Sequence, residues 1–174
     1  MAIALPRSIS LRTLGWSAVA MLLLAPAIAM LLGAEGVHWT ALDFVAAAVL
    51  LGGTGLGIEL AVRLFPARSA RFGAAVALLI ALAQVWINAA VGIIGHEEND
   101  LNLLFLTVIG VALVGCVVTR LQPARMAMIM NVTAMTQLAA GTVGLLAGSP
   151  EALVLSLVFA AGWLVAGRLF SPAA

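Results

Sequence analysis

Two histidines and a set of carboxylates are the side chains of this sequence best equipped for chemistry. His96-Glu97-Glu98-Asn99-Asp100 runs unbroken, Asn102 follows closely, and His38 and Asp43 mark a second polar stretch. Imidazole nitrogens with carboxylate oxygens suit a borderline divalent metal, for which His38, His96 and Glu97 are weak candidate ligands. Imidazoles among acids also suit a pH-sensitive gate, because histidine titrates near neutrality. The spacing matches no established metal motif, and a solvated acidic loop is the plainer explanation. Asp43 has its own alternative: Thr40-Ala41-Leu42-Asp43 reads as a helix N-cap with an acid in the first turn.

A second polar set is embedded in apolar sequence. Glu59 precedes Arg63 by four residues, the favourable acid-first order for a local ion pair on a helix. The functional alternative is a proton or cation relay from Glu59 toward Gln84 and Asn88, which are four residues apart and share one helix face. Asn131, Thr133, Thr136 and Gln137 form the corresponding set further along. Amides inside a membrane either tie helices together, at roughly 0.6–2 kcal/mol each, or line a path for solute or water.

The surrounding composition makes the membrane the expected solvent. Of 174 residues, 64% are hydrophobic and 9% are charged, against about 25% charged in a soluble domain. Net charge is +1 and every basic residue is arginine. No basic run is long enough for nucleic acid. Cys116 is the only cysteine, so no intrachain disulfide forms, and its Val-Gly-Cys-Val-Val setting reads as a small buried residue.

Charge-free windows cover Thr13–Ala34, Phe44–Ile58, Phe72–Gly95, Leu101–Thr119, Met126–Pro150 and Ala152–Gly167. A spanning helix needs about 20 residues. The second and sixth windows reach that length by extending past Glu59 and Arg63 and past Arg168, with Leu169 and Phe170 at the interface. The first resembles a signal peptide with an Ala27-Ile28-Ala29 cleavage site, but apolar residues continue through Met30-Leu31-Leu32, which favours an uncleaved helix.

The charges partition by side. Arg7 and Arg12 precede span 1, Arg63, Arg68 and Arg71 fill the loop after span 2, Arg120 and Arg125 the loop after span 4, and Arg168 ends span 6. The other loops carry both histidines and Glu35, Glu97, Glu98, Asp100 and Glu151, and Glu59 is the only acid near the cytoplasmic side. This positive-inside pattern predicts an all-α bundle of six transmembrane helices in a bacterial-type inner membrane, with both termini cytoplasmic. Arg63-Leu64-Phe65-Pro66-Ala67-Arg68, Arg120-Leu121-Gln122-Pro123-Ala124-Arg125 and Arg168-Leu169-Phe170-Ser171-Pro172-Ala173 resemble one another. They divide the chain into three in-out-in hairpins, approximately 12–68, 69–125 and 126–174. Any membrane hairpin with a basic, proline-bearing inner end would produce part of this likeness.

Gly53 with Gly57, and Gly144 with Gly148, form small-xxx-small pairs that let helices approach closely. Gly53-Thr54-Gly55-Leu56-Gly57 is no dinucleotide fingerprint, because no strand precedes it. Met126, Met128 and Met130 read as apolar filling rather than thioether ligands. Trp39 best fits interfacial anchoring. There is no Ser-His-Asp spacing, no H-E-x-x-H and no phosphate loop, so neither an enzyme nor a cofactor is expected. An intramembrane enzyme using His96 and Glu97 is the minor alternative. The leading expectation is a permease-like or channel-like protein for a small solute or cation. Its outer vestibule would comprise His38, Asp43, His96, Glu97, Glu98 and Asp100, above a lining of Glu59, Gln84, Asn88, Asn131 and Gln137. The competing expectation is a non-catalytic accessory or assembly subunit. The partners implied are the lipid bilayer and either a homo-oligomer or a larger membrane complex.

Overall fold

The computed structural model describes residues 10–171, except the side chain of Leu11. Arg7, Pro172 and Ala173, which enter the charge and repeat arguments, lie outside the described residues. The helices are α1 (Leu11–Leu31), α2 (Ala41–Leu64), α3 (Arg68–Ala90), α4 (Leu103–Val118), α5 (Pro123–Leu146) and α6 (Pro150–Phe170), with a 3-10 turn over Asp100–Asn102. Among the described residues there is no strand. All six helices give candidate spans of 19–24 residues, long and apolar enough to cross a bilayer.

Local chemistry sets the ends. The Ser10 hydroxyl accepts from the Thr13 amide at 3.1 Å and caps α1. At the start of α2 the Asp43 carboxylate accepts from the Thr40 amide (2.7 Å), while the Thr40 hydroxyl accepts from the Asp43 amide (3.3 Å). Trp39 packs edge-on against Phe44, ring centroids 5.2 Å apart. This is a reciprocal capping box with its hydrophobic staple. Pro123 and Pro150 occupy the first position of α5 and α6, where a missing N–H costs nothing.

Helices α1, α4 and α5 end in one way. The Ala34, Leu121 and Ser149 amides reach back to the carbonyls of Ala29, Cys116 and Gly144, the Schellman closure with a left-handed residue at its turn. Gly33 and Gly148 take that position after α1 and α5, but Arg120 takes it after α4, at φ 51°, and Leu121 follows at φ 57°.

The chain divides into two compact units within α2, the first ending at Leu56 and the second starting at Gly57. In the first, no described residue of α1 is buried, and Ala47 and Leu51 are the buried residues of α2. The Trp16 ring lies 3.5 Å from where a Cβ on Gly55 would sit.

In the second unit α6 packs most extensively on α5 and next on α3, and α5 also holds α4; α3 and α4, though consecutive, touch little. Two apolar layers fill this arrangement. One, toward the arginine-bearing helix ends, joins Phe65, Ala70, Met126, Met130, Trp163 and Phe170. The other joins Ile93, Ile94, Phe105, Val108, Ala152 and Phe159. Phe170 is drawn into the first of these layers. It is 2% exposed and packs edge-on against Phe65, centroids 5.5 Å apart, because α6 continues past Arg168 as one more turn of core.

Candidate functional site

The loop after α3 starts earlier than the charge pattern suggests. Helix α3 stops at Ala90 rather than Gly95, because Gly92 turns the chain at φ 73° and a Cβ there would meet the His96 carbonyl group at 2.5–2.6 Å. Only glycine fits a left-handed turn pressed against backbone. Ile93 and Ile94, each 1% exposed, then turn inward into the second apolar layer.

Asn102 holds this turn together. It is buried, and its carboxamide oxygen accepts from the Ile93 and Ile94 amides at 2.9 and 2.8 Å. Its nitrogen donates to the Ile94 and His96 carbonyls at 3.4 and 2.7 Å. Asn99 starts the 3-10 turn by accepting from the Leu101 amide at 3.0 Å. His96, Glu97, Glu98 and Asp100 are all exposed around this fixed frame. The sequence marks Asn102 only as one more polar residue. Its service to two buried amides depends on the Gly92 turn bringing residues 93–96 back beside it.

His38 and Asp43 belong to the first unit, and the His96–Asp100 run to the second. His38 is exposed, on a loop that with Glu35 borders a cavity of about 320 Å³. Asp43 is committed to the α2 cap, so the N-cap alternative describes its contacts. Among the described residues, no three of His, Cys, Asp and Glu come together as metal ligands would.

The amides inside the second unit are packed. Gln84, 0% exposed, donates to the Phe105 carbonyl at 2.9 Å, bridging α3 to α4. Asn88, 9% exposed, donates to the Asn102 carbonyl at 3.3 Å. Gln137, 0% exposed, donates to the Ser156 hydroxyl at 3.2 Å, bridging α5 to α6. Gln84 Oε1, Asn88 Oδ1, Gln137 Oε1 and Trp163 Nε1 are buried without a partner. Asn131 differs: it lies on the exposed surface of α5 rather than in a lining. Thr133 is buried and, like Thr136, donates to its own helix one turn back. Glu59 lies 3.7 Å from Arg63, its side chain 21% exposed against 72% for the arginine.

The glycine pairs split. A Cβ on Gly144 would lie 2.5 Å from the Ala152 Cβ, so α5 and α6 cross in close contact there. At Gly57 the Leu78 methyls stand 3.0 Å away. Gly53 and Gly148 face open space, and Gly148 serves the α5 terminus instead, at φ 90°. The closest approaches the sequence pairs did not include are Gly115 against Ile129, Gly141 against Ser156 and Gly162 against Ile80, where a Cβ would meet side-chain atoms at 2.2, 2.4 and 2.4 Å.

No protein-family model, curated protein or solved structure matches this chain.

Proposed function

We propose that this protein is a non-transporting, non-enzymatic accessory or assembly subunit of a membrane protein complex. It sits in a bacterial-type inner membrane with both termini cytoplasmic, as the alternation of arginine-bearing and acidic loops argues. The observation that carries the reading is the use made of the embedded amides. Gln84, Asn88 and Gln137 spend their N–H groups on a carbonyl or hydroxyl of a neighbouring element, inside apolar layers. Such bonds fix helix order rather than conduct a solute. Purification in mild detergent tests it: a stoichiometric partner protein is expected, and a chain recovered alone or only with copies of itself would overturn the proposal.

A second reading, a small permease or channel, is favoured by one observation. Gln84 Oε1, Asn88 Oδ1 and Gln137 Oε1 are buried acceptors with nothing bound to them, the kind of oxygen a dehydrated cation or a water file would use. Its polar mouth would be His96, Glu97, Glu98 and Asp100. Reconstituted vesicles would then pass a cation or small solute, and flux would fall in Glu97→Ala/Glu98→Ala/Asp100→Ala. Flux that is absent, or unchanged in the triple variant, removes this reading.

A further inference from the structure

The second unit contains a cavity of about 170 Å³ whose walls come from the last two turns of α2 and from α3, α4, α5 and α6. On α3 it runs from Ala74 to Ala81 and on α4 from Ile109 to Cys116. Seven residues of helix rise about 10 Å, so the space is a slot parallel to the helices, reaching from mid-bundle to the arginine-bearing end. Its floor is buried, with Phe65, Met130 and Phe170 each under 5% exposed. Its rim is open: Leu60, Leu64 and Leu113 are 52%, 49% and 63% exposed. Helices α2 and α4 do not pack closely, which leaves this side open.

Chemistry narrows the occupant. The only heteroatom-bearing side chains on the wall besides the methionines are Cys116 and Trp163. Trp163 is 1% exposed and its indole N–H has no acceptor. A polar solute would lose its hydration and recover almost nothing here, whereas a hydrocarbon chain loses nothing. The mouth has the opposite character. Arg71 Nε donates to the carbonyl of Phe65, a floor residue, at 2.7 Å, leaving the terminal nitrogens of that guanidinium without a partner among the described residues. Leu121 lines the slot directly after Arg120, and Met126 directly after Arg125. Arg63, Arg68 and Arg168 lie at the same helix ends, and Glu59 is the one acid near them.

We propose that this slot holds one acyl chain of an anionic phospholipid, with its phosphate on Arg71 and Arg120. An apolar slot whose floor residue Phe65 anchors Arg71 through its carbonyl, and whose wall residue Leu121 follows Arg120 in the chain, complements a lipid with one buried tail and a negative head, as basic pockets between membrane helices do for anionic headgroups. The arginines select the headgroup, and the slot holds the chain away from bulk lipid.

Trp163 reports on the slot from within. In a full-length Trp16→Phe/Trp39→Phe/Trp86→Phe variant it is the sole tryptophan. That protein is reconstituted into vesicles containing either brominated phosphatidylglycerol or phosphatidylcholine with the same brominated chains, at equal mole fraction. The expected result is stronger quenching by the phosphatidylglycerol. Arg71→Gln and Arg120→Gly should each weaken that preference about fivefold, the equivalent of about 1 kcal/mol for one arginine beside an anionic lipid. Ala77→Leu, which fills the slot, should reduce quenching by both lipids. Equal quenching by the two lipids, no quenching by either, or a preference untouched by both arginine substitutions overturns the proposal. Arg120→Gly keeps the test valid if Ala77→Leu fails to fold, because glycine suits that backbone position.

Discussion

The side-chain oxygen of Asn102 accepts from both the Ile93 and the Ile94 amide, so one residue serves the two backbone groups that carry the α3–α4 loop into the core. Replacing it leaves two buried N–H groups unpaired, each at about 1–3 kcal/mol. Asn102→Ala should therefore destabilise the second unit by about 2–4 kcal/mol and release His96–Asp100 from their frame. Denaturant unfolding in detergent reads the first effect, and proteolytic nicking of the loop reads the second. Asn102→Asp keeps the acceptor oxygen but sets its second oxygen against the Ile94 and His96 carbonyls in a buried site, so it should not restore the lost stability.

Close helix crossing separates the glycines that look alike in sequence. Gly144→Ala would press a methyl against the Ala152 Cβ, which cannot rotate away. A loss of about 1–3 kcal/mol is expected from such overpacking. Gly53→Ala meets nothing and replaces a poor helix former, so it should gain up to about 1 kcal/mol. Unfolding midpoints of the two variants, measured side by side, should move in opposite directions.

Arg120 stands at φ 51°, where a Cβ is unwelcome. Arg120→Gly should raise stability by up to about 1 kcal/mol, from the roughly 1–2 kcal/mol of left-handed strain in a non-glycine residue less the greater unfolded-state entropy of glycine. The corresponding change at Leu121 should destabilise, because that side chain packs against the first apolar layer. A thermal melt of each purified variant distinguishes them.

Gln84→Leu and Gln137→Leu remove an interhelical bond together with an unpartnered oxygen. Each should cost no more than about 1.5 kcal/mol, since losing the bond is partly offset by removing a buried oxygen without a partner. Detergent unfolding of the two variants checks this, and a loss above about 3 kcal/mol would mean that those oxygens hold something essential to the fold.

The six long apolar helices were legible because charges are costly in membrane-type helices and so collect near their ends. The Thr40–Asp43 box marked the start of α2 for the same local reason that operates in the structure, whereas Pro123 and Pro150 act as the first residues of α5 and α6 rather than as stops of the helices before them. What stayed hidden depends on the third dimension. Gln84 and Gln137 were recognisable as inward-facing amides, but their partners, a carbonyl 21 residues away and a hydroxyl 19 away, follow from helix packing alone. Asn131 carries the same side-chain amide in a similar apolar setting, yet it is exposed, because in a helix that is apolar nearly all round no periodicity identifies the core face. The slot beside Trp163 left no trace in sequence, since an absent side chain has no letter.

Helix α6 has a consequence for biogenesis. It lies between α3 and α5, supplies Ser156 to Gln137 and brings Phe170 to Phe65. During synthesis it leaves the ribosome after both of its neighbours. Until it inserts, Gln137 has no hydroxyl to bond and the small-residue faces of α3 and α5 at Gly73 and Gly141 have nothing to cover them. The nascent protein therefore passes through an interval with a bare polar group inside the membrane.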